Sequence, residues 1–342
     1  MVRPDRDTPT RAPVEVATFR SETPRLALVI FALLALVAAY RSNTFALNEL
    51  AFTFLFAGLA TAWNVIGGYG GQFSLANGVF LAIGAYLTAN LSIGFGLSPW
   101  LSLLPSAACA AAAAVLISWP AFRLRGPFFA IVTMAFNEVA FALANYFETF
   151  TGGAQGLVIP FRLGLANMVF RDRMSYALLM LGYLVACLVV GIFVARSRLG
   201  YYLQAVRDNE SAARASGIDV LRTKLAGIGV SAALTGAGGT LFAMALRIVD
   251  PPTLLTLSEV GLKFALIVLI GGIGTIYGPL LGALFVMPME DWLRVELGAE
   301  APGSHLVVLG IILVLAALFM QRGLVGMFED LWTRLRTRRT AA

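Results

Sequence analysis

The sequence predicts an all-α membrane protein: a polytopic helical bundle of about ten transmembrane helices with glycine-broken segments. Hydrophobic residues make up 59% of the 342-residue chain and charged ones 13%, with a mean hydropathy of +0.82. That is far more apolar surface than one soluble core of this length needs. Apolar runs long enough to cross a bilayer, about 20 residues each, recur along the whole chain. The basic residues, all arginine except Lys224 and Lys263, fall mostly in the short polar breaks. That is a topology signal and not a nucleic-acid footprint.

Residues 1–24 form a polar, arginine-rich tail. The run from Leu26 to Tyr40 is close to a signal-peptide core in length. The charged region before it is long, however, and Ala38 and Ala39 only half satisfy a cleavage site, so it is read as a retained first span. The spans that follow are expected at 44–66, 73–94, 98–119, 127–146, 175–195, 223–246, 256–272, 276–293 and 304–320, with the first at 25–40. Glycines blur the break between the eighth and ninth. With both termini cytoplasmic, eighteen basic residues lie inside and six outside, and Lys263 sits within a span. The inside excess comes from Arg123, Arg125, Arg196, Arg198, Arg207, Arg214 and Arg222 together with the tails, so the positive-inside bias fixes this orientation. Fusing the eighth and ninth spans would put the arginine-rich C-terminus outside. The membrane domain is therefore expected over 25–321, with a long outer loop at 147–174, a cytoplasmic loop at 196–222 and a cytoplasmic tail at 322–342.

The segment IGGYGGQFSLANGVFLAIGAY from Ile66 is echoed by IGGIGTIYGPLLGALF from Ile270. Both glycine clusters face the cytoplasm in this topology, which suggests two related halves, although glycine-rich membrane segments also look alike by chance. The glycines Gly68, Gly70, Gly71, Gly271 and Gly272 either break helices along a solute path or let helices pack closely. Neither lysine follows a G-x-x-x-x-G pattern, so no phosphate-cradling loop can form and any ATP hydrolysis belongs to another chain. Cys109, Cys187 and the single histidine, His305, make a disulfide framework or a His-based metal site unexpected.

From Ser197 to Lys224 the cytoplasmic loop has the character of a short helix that Gly217 would stop. Glu210 and Arg214 stand four apart in the favourable order, and Arg207 stands three before Glu210, which supports an exposed charged face. Leu203, Val206 and the alanines leave a narrow apolar stripe. Such a helix either seats in a groove of a cytoplasmic partner or is a solvated connector. Intramembrane polar residues are the other candidates: Asn48, Glu49, Asn64, Asn77, Asn137, Glu138, Glu259 and Lys263. They are expected to face the bundle interior or an interface. Glu259 and Lys263 read as a mutually neutralising pair. Glu138, near the middle of its span with no basic residue in helical reach, is either protonated, paired with Asn137 or exposed to a cavity.

Five ordered segments together resemble the permeases of branched-chain amino-acid ABC importers. They are GYGGQFSLANGVFLAIGAYLTA from Gly68, LRGPFFAIVTMAF from Leu124, TGGAQGL from Thr151, AVRDNESAARASGIDVLRTKLAGIGVSAALTGAGGTLFA from Ala205 and IGGIGTIYGPLLGALF from Ile270. The resemblance implies that 205–220 is the coupling helix, with Arg207, Asp208, Glu210 and Gly217 as coupling residues toward an ATPase subunit. It also implies that Thr151, Gly152 and Gly153 face a periplasmic substrate-binding protein. The implied assembly, in a bacterial inner membrane, adds a related permease subunit and two cytoplasmic ATPase subunits, and this chain itself binds no cofactor. Ala76 and Asn77 depart from the family's usual Gly-His pair, which leaves the solute open among amino acids, urea, amides and aromatic acids. A proton-coupled carrier working through Glu138 is the other transport class. A membrane enzyme would need clustered catalytic groups, and the acids are dispersed.

Overall fold

The computed structural model describes residues 19–124, 126–256 and 260–298, together with 307, 308, 310–312, 314 and 323–326. The first helix, α1 (Phe19–Ala39), lies at the edge of the bundle. The Asn43 side chain caps α2 (Thr44–Asn64), which continues as one wider π turn through Val65–Tyr69. Then come α3 (Asn77–Phe95), α4 (Pro99–Ala121) and α5 (Pro127–Tyr146), followed by the single turn α6 (Glu148–Thr151). The chain returns through α7 (Arg173–Arg196), the short pair α8 (Arg198–Asp208) and α9 (Glu210–Ala215), and α10 (Val220–Leu246). It closes with α11 (Pro251–Leu255), α12 (Leu262–Gly271) and α13 (Gly278–Gly298). A two-residue antiparallel ribbon, β1 (Leu157–Val158) on β2 (Ile248–Val249), ties the outer loop to the end of α10.

Among the described residues, seven helices are long and apolar enough to cross a membrane: α1, α2 with its π turn, α3, α4, α5, α7 and α10. The expected count of ten is not reached there, for three different reasons. Of the eighth, expected over 256–272, the helix described is the ten-residue α12. The ninth, α13, carries Glu290, Asp291, Arg294 and Glu296. The tenth, over 304–320, lies mostly outside the described residues, as do His305, Arg125, Glu259, residues 1–18 and most of the C-terminal tail.

Lipid tails give helices no hydrophobic reason to associate, so close approach of small residues must hold them. The glycine- and alanine-rich faces of α3, α4 and α10 supply it: a Cβ on Gly84 would lie 2.0 Å from the Gly236 carbonyl oxygen. Hydroxyls bind the same three helices. Thr88 Oγ1 lies 2.8 Å from Thr240 Oγ1 and 3.2 Å from Ser106 Oγ, and Ser102 Oγ donates to it at 3.1 Å. Replacing Thr88 by valine keeps its shape and removes the hub. It should lower stability in detergent by about 1 kcal/mol, the scale of buried interhelical hydrogen bonds in membranes, and thermal unfolding of the purified chain measures this.

Two segments are not simple crossings. After the π turn, residues 70–76 run back into the bundle unwound: the Trp63 indole donates to the Ser74 carbonyl at 2.8 Å, and Thr133 Oγ1 of α5 accepts from Leu75 N at 3.1 Å. Ser74 is thus level with a residue roughly 9 Å up α2 from Tyr69, at 1.5 Å per residue. Helix α3 accordingly begins inside the bundle, four residues later than expected. The second interruption is at Thr256, whose extended backbone ends α11. Broken backbone at this depth is tolerated where protein encloses it.

Glu22 of α1 is buried and takes Arg196 of α7 at 2.6 Å. Gly323 packs on Gly272. The start of α1, the end of α7 and Gly323 therefore share one end of the bundle with α8. The opposite end carries the ribbon and the N-terminus of α7. There Asp172 accepts from the backbone and hydroxyl of Ser175, which holds its carboxyl below the usual range. A depressed native value contributes stability above the ordinary carboxylate range that is lost as pH falls through it.

Candidate functional site

The sequence candidates gather in three places and leave one outside. At the α8 end the two glycine clusters meet. Asn64, at the close of α2, donates from Nδ2 to the Thr275 carbonyl and accepts from Gly274 N, both at 2.9 Å. Gly68 lies so close that a Cβ there would stand 2.8 Å from Gly274 N. The internal echo in the sequence thus marks two segments that touch. Gly70 packs under Leu203 of α8, whereas Gly271 serves contact between α12 and α13, where a Cβ would strike the Gly278 carbonyl.

The expected single coupling helix over 205–220 is two helices. Asn209 adopts an extended conformation and caps α9 by accepting from Ala212 N at 3.0 Å, which ends α8 at Asp208. Gly217, with φ of +84°, ends α9: its N–H reaches the Arg214 carbonyl and Ile218 N–H reaches that of Ala213. That pair of bonds is the glycine C-terminal motif the sequence suggested. Arg207 and Glu210 are on different helices and do not support one another. The Arg207 guanidinium turns inward and donates to the Gly68 carbonyl at 3.0 Å, and Nε reaches Asp208 at 3.3 Å. Glu210 bonds Lys224 of α10 at 3.0 Å and Arg214 at 3.4 Å. Lys224, only 2% exposed, also lies over the Phe122 ring.

The apolar stripe faces inward as well. Leu203 is fully buried against the bundle, and Val206 packs with Ala213 and Val220. What this corner presents outward is Tyr201, Tyr202, Asp208, Arg214 and part of Arg207, beside a shallow cavity of about 320 Å³ lined by Glu210, Ser211, Arg214 and Ala215.

Deeper in the bundle, Asn77 opens α3 and is fully buried, with neither side-chain amide atom partnered among the described residues. Asn137 of α5 donates to the Leu255 carbonyl at the end of α11, while its own carbonyl oxygen, unpartnered, lies against Gly78. One side chain therefore touches the first turn of α3 and the end of α11. Buried amide atoms without protein partners are uncommon and mark places where a function can reside. Glu138, next in sequence, is exposed on the outer side of α5 and makes no hydrogen bond or ion pair among the described residues. It is neither paired with Asn137 nor inside the bundle. Lys263, expected to pair with Glu259, is held by Glu290 at 2.8 Å, and Glu259 lies outside the described residues.

At the ribbon end, Thr151 hydrogen-bonds the carbonyls of Ala144 and Phe147, and Gly152 and Gly153 both take positive φ in the turn that leads to β1. Thr151 also lines a groove of about 860 Å³ between α3 and α5, walled by Val79, Ile83, Tyr86, Leu143 and Leu255. Sequence reasoning missed this groove, because its wall is as apolar as any lipid-facing surface.

Comparison with known proteins places this architecture. Residues 45–317 match the family model described as branched-chain amino acid transport system / permease component. The chain is 31% identical over 331 residues to the high-affinity branched-chain amino acid transport system permease protein LivM of Escherichia coli, covering 89% of this chain and 75% of that protein. It is 30% identical to the LivM protein of Salmonella typhimurium, with 89% and 76% covered. It is 26% identical to a probable branched-chain amino acid transport permease protein LivH of Methanocaldococcus jannaschii, with 74% and 82% covered. No solved structure matches. By the extent of that match, the chain belongs to the permease-component family of branched-chain amino acid transport systems and is a permease subunit of an ABC importer.

Proposed function

We propose that this chain forms half of a translocation path that carries branched-chain or related small amino acids across a bacterial inner membrane. A related permease subunit forms the other half. Two cytoplasmic ATPase subunits hydrolyse the ATP, and a periplasmic binding protein delivers the solute near Thr151, Gly152 and Gly153. The membrane domain runs over 25–321 with cytoplasmic tails on either side. The contact of Gly323 with Gly272, at the end where Glu22 meets Arg196, supports both tails sharing the arginine-rich face.

The observation that carries the energising role is the α8–α9 corner: its inner face is fixed to the bundle while Tyr201, Tyr202, Asp208 and Arg214 stand exposed. An ATPase that grips the outer face would move the inner one. Asn77, Asn137 and the glycine breaks supply the interior path positions, where unpaired amide atoms suit a solute's polar end. Exposed Glu138 supports a permease contact along α5, because a carboxylate facing bare lipid costs at least about 2.5 kcal/mol.

The test is co-purification of the tagged chain from its native membrane, wild type against an Asp208→Arg, Arg214→Glu double change. Wild type should bring two ATPase subunits and a second permease, and the variant should lose the ATPases while keeping the permease. A chain that purifies alone and still moves solute would instead favour the proton-coupled carrier, with Glu138 as the residue to replace.

A further inference from the structure

Arg207 sits where three segments join, and although its side chain is 38% exposed it reaches inward to the glycine breaks. Its Nη1 donates to the Gly68 carbonyl at 3.0 Å, inside the glycine break of α2. Its aliphatic stem lies on Gly71, whose φ is +63°, so closely that a Cβ there would be 2.5 Å from Cγ. On the other side Gly274, with φ of +75°, faces the same guanidinium: a Cβ there would be 2.9 Å from Nη1. Asn64 locks 274–275 to α2, and Leu203 fixes α8 against Gly70 and Gly227. Any displacement of α8 therefore reaches both glycine breaks through one side chain, and both are where the backbone resists bending least.

We infer that Arg207 is a positioning residue that latches α8 to the two glycine-broken segments and transmits its movement to them, rather than a contact with the ATPase. The inference rests on α8–α9 being the ATPase-coupling corner. The latch needs a planar guanidinium: one edge holds the Gly68 carbonyl while Nε holds Asp208, a fixed geometry that lysine's single rotating ammonium cannot reproduce. When α8 moves, the bond to Gly68 either pulls residues 68–71 along or opens, and Gly71 and Gly274 swing without a side chain to obstruct them.

The experiment uses the assembled transporter in proteoliposomes with Arg207→Met, which keeps the stem, and Arg207→Lys, which keeps stem and charge. The methionine variant should retain its ATPase subunits and its ATP hydrolysis, while solute moved per ATP falls about tenfold, the scale of one charge-assisted hydrogen bond. Lysine should recover part of that loss. A cysteine placed at Gln72, with Cys109 and Cys187 replaced by alanine, should change its labelling by a maleimide when ATP is added to the wild-type background and stay constant in Arg207→Met.

Unaltered transport in Arg207→Met would overturn the latch, as would loss of the ATPases together with transport, which would make Arg207 a docking contact and leave the coupling corner standing. Should the methionine variant fail to accumulate, the label alone decides: wild-type Gln72→Cys that ignores ATP while transport proceeds refutes the latch. If the unaltered chain assembles with no ATPase at all, the coupling corner itself is wrong.

Discussion

Replacing Gly84 by valine should abolish accumulation of folded protein. A single Cβ at Gly84 would sit 2.0 Å from the Gly236 carbonyl oxygen and 2.9 Å from its Cα. The neighbour is main chain, so no rotamer change relieves the clash and α3 must separate from α10. Gly236 has no slack behind it, since a Cβ there would already strike Ala110 Cβ at 2.5 Å and the Ser106 carbonyl. Overpacking of this kind costs about 3 kcal/mol at the upper end of its usual range, and here it also pulls apart the hydroxyl cluster around Thr88. Gly94→Ala on the same helix is the control: nothing stands within 4 Å of a Cβ there, and alanine should be neutral or stabilising by roughly 0.5 kcal/mol. Fluorescence-detected size exclusion of both variants measures the contrast, and comparable monodisperse peaks would mean that α3 and α10 do not touch as described.

Truncating Glu290 to alanine should be nearly as damaging, through charge instead of volume. Glu290, 4% exposed at its side chain, takes Lys263 at 2.8 Å and Arg294 at 3.2 Å, and Lys263 lies over the Phe56 ring at 5.3 Å. Removing the carboxylate takes away the partner that Lys263 and Arg294 share, and breaking a buried ion pair costs roughly 3–5 kcal/mol. Replacing both by apolar groups removes the charge that must be desolvated. The double variant Lys263→Met, Glu290→Leu should therefore unfold at a higher temperature than Glu290→Ala alone. A double variant worse than either single change would show that the pair does more than neutralise itself.

Hydropathy and arginine placement made most of the bundle legible, because each full crossing must be apolar throughout and its ends must not be. They could not reveal where a crossing begins inside the membrane. The stretch 70–76 marks a break by its glycines and Gln72, but only the bonds from Trp63 and to Thr133 show that it runs back into the bundle. At the α8–α9 corner, helical character, the Glu210–Arg214 pair and the stop at Gly217 followed from local spacing. The break at Asn209 did not, because its cap competes with helix continuation on nearly equal terms.

The direction each charge points was the least legible feature. Arg207 turns to Gly68 and Glu210 to Lys224, partners 139 and 14 residues away, and no periodicity reports such distances. Glu290 was missed as an organising residue for the same reason, and Asn64, a candidate by its polarity alone, gave no sign of its partners at 274 and 275. Glu138 illustrates the opposite error. An acid in mid-span was taken for an interior group, yet a subunit whose neighbour covers α5 can carry it on the outside.

The most direct test of the whole account is uptake of labelled leucine into proteoliposomes, made once with this chain alone and once with the second permease, the ATPase subunits, the binding protein and ATP. Uptake only in the complete assembly, and only while ATP is hydrolysed, is the predicted result. Uptake by the chain alone, driven by a proton gradient and indifferent to ATP, would contradict it.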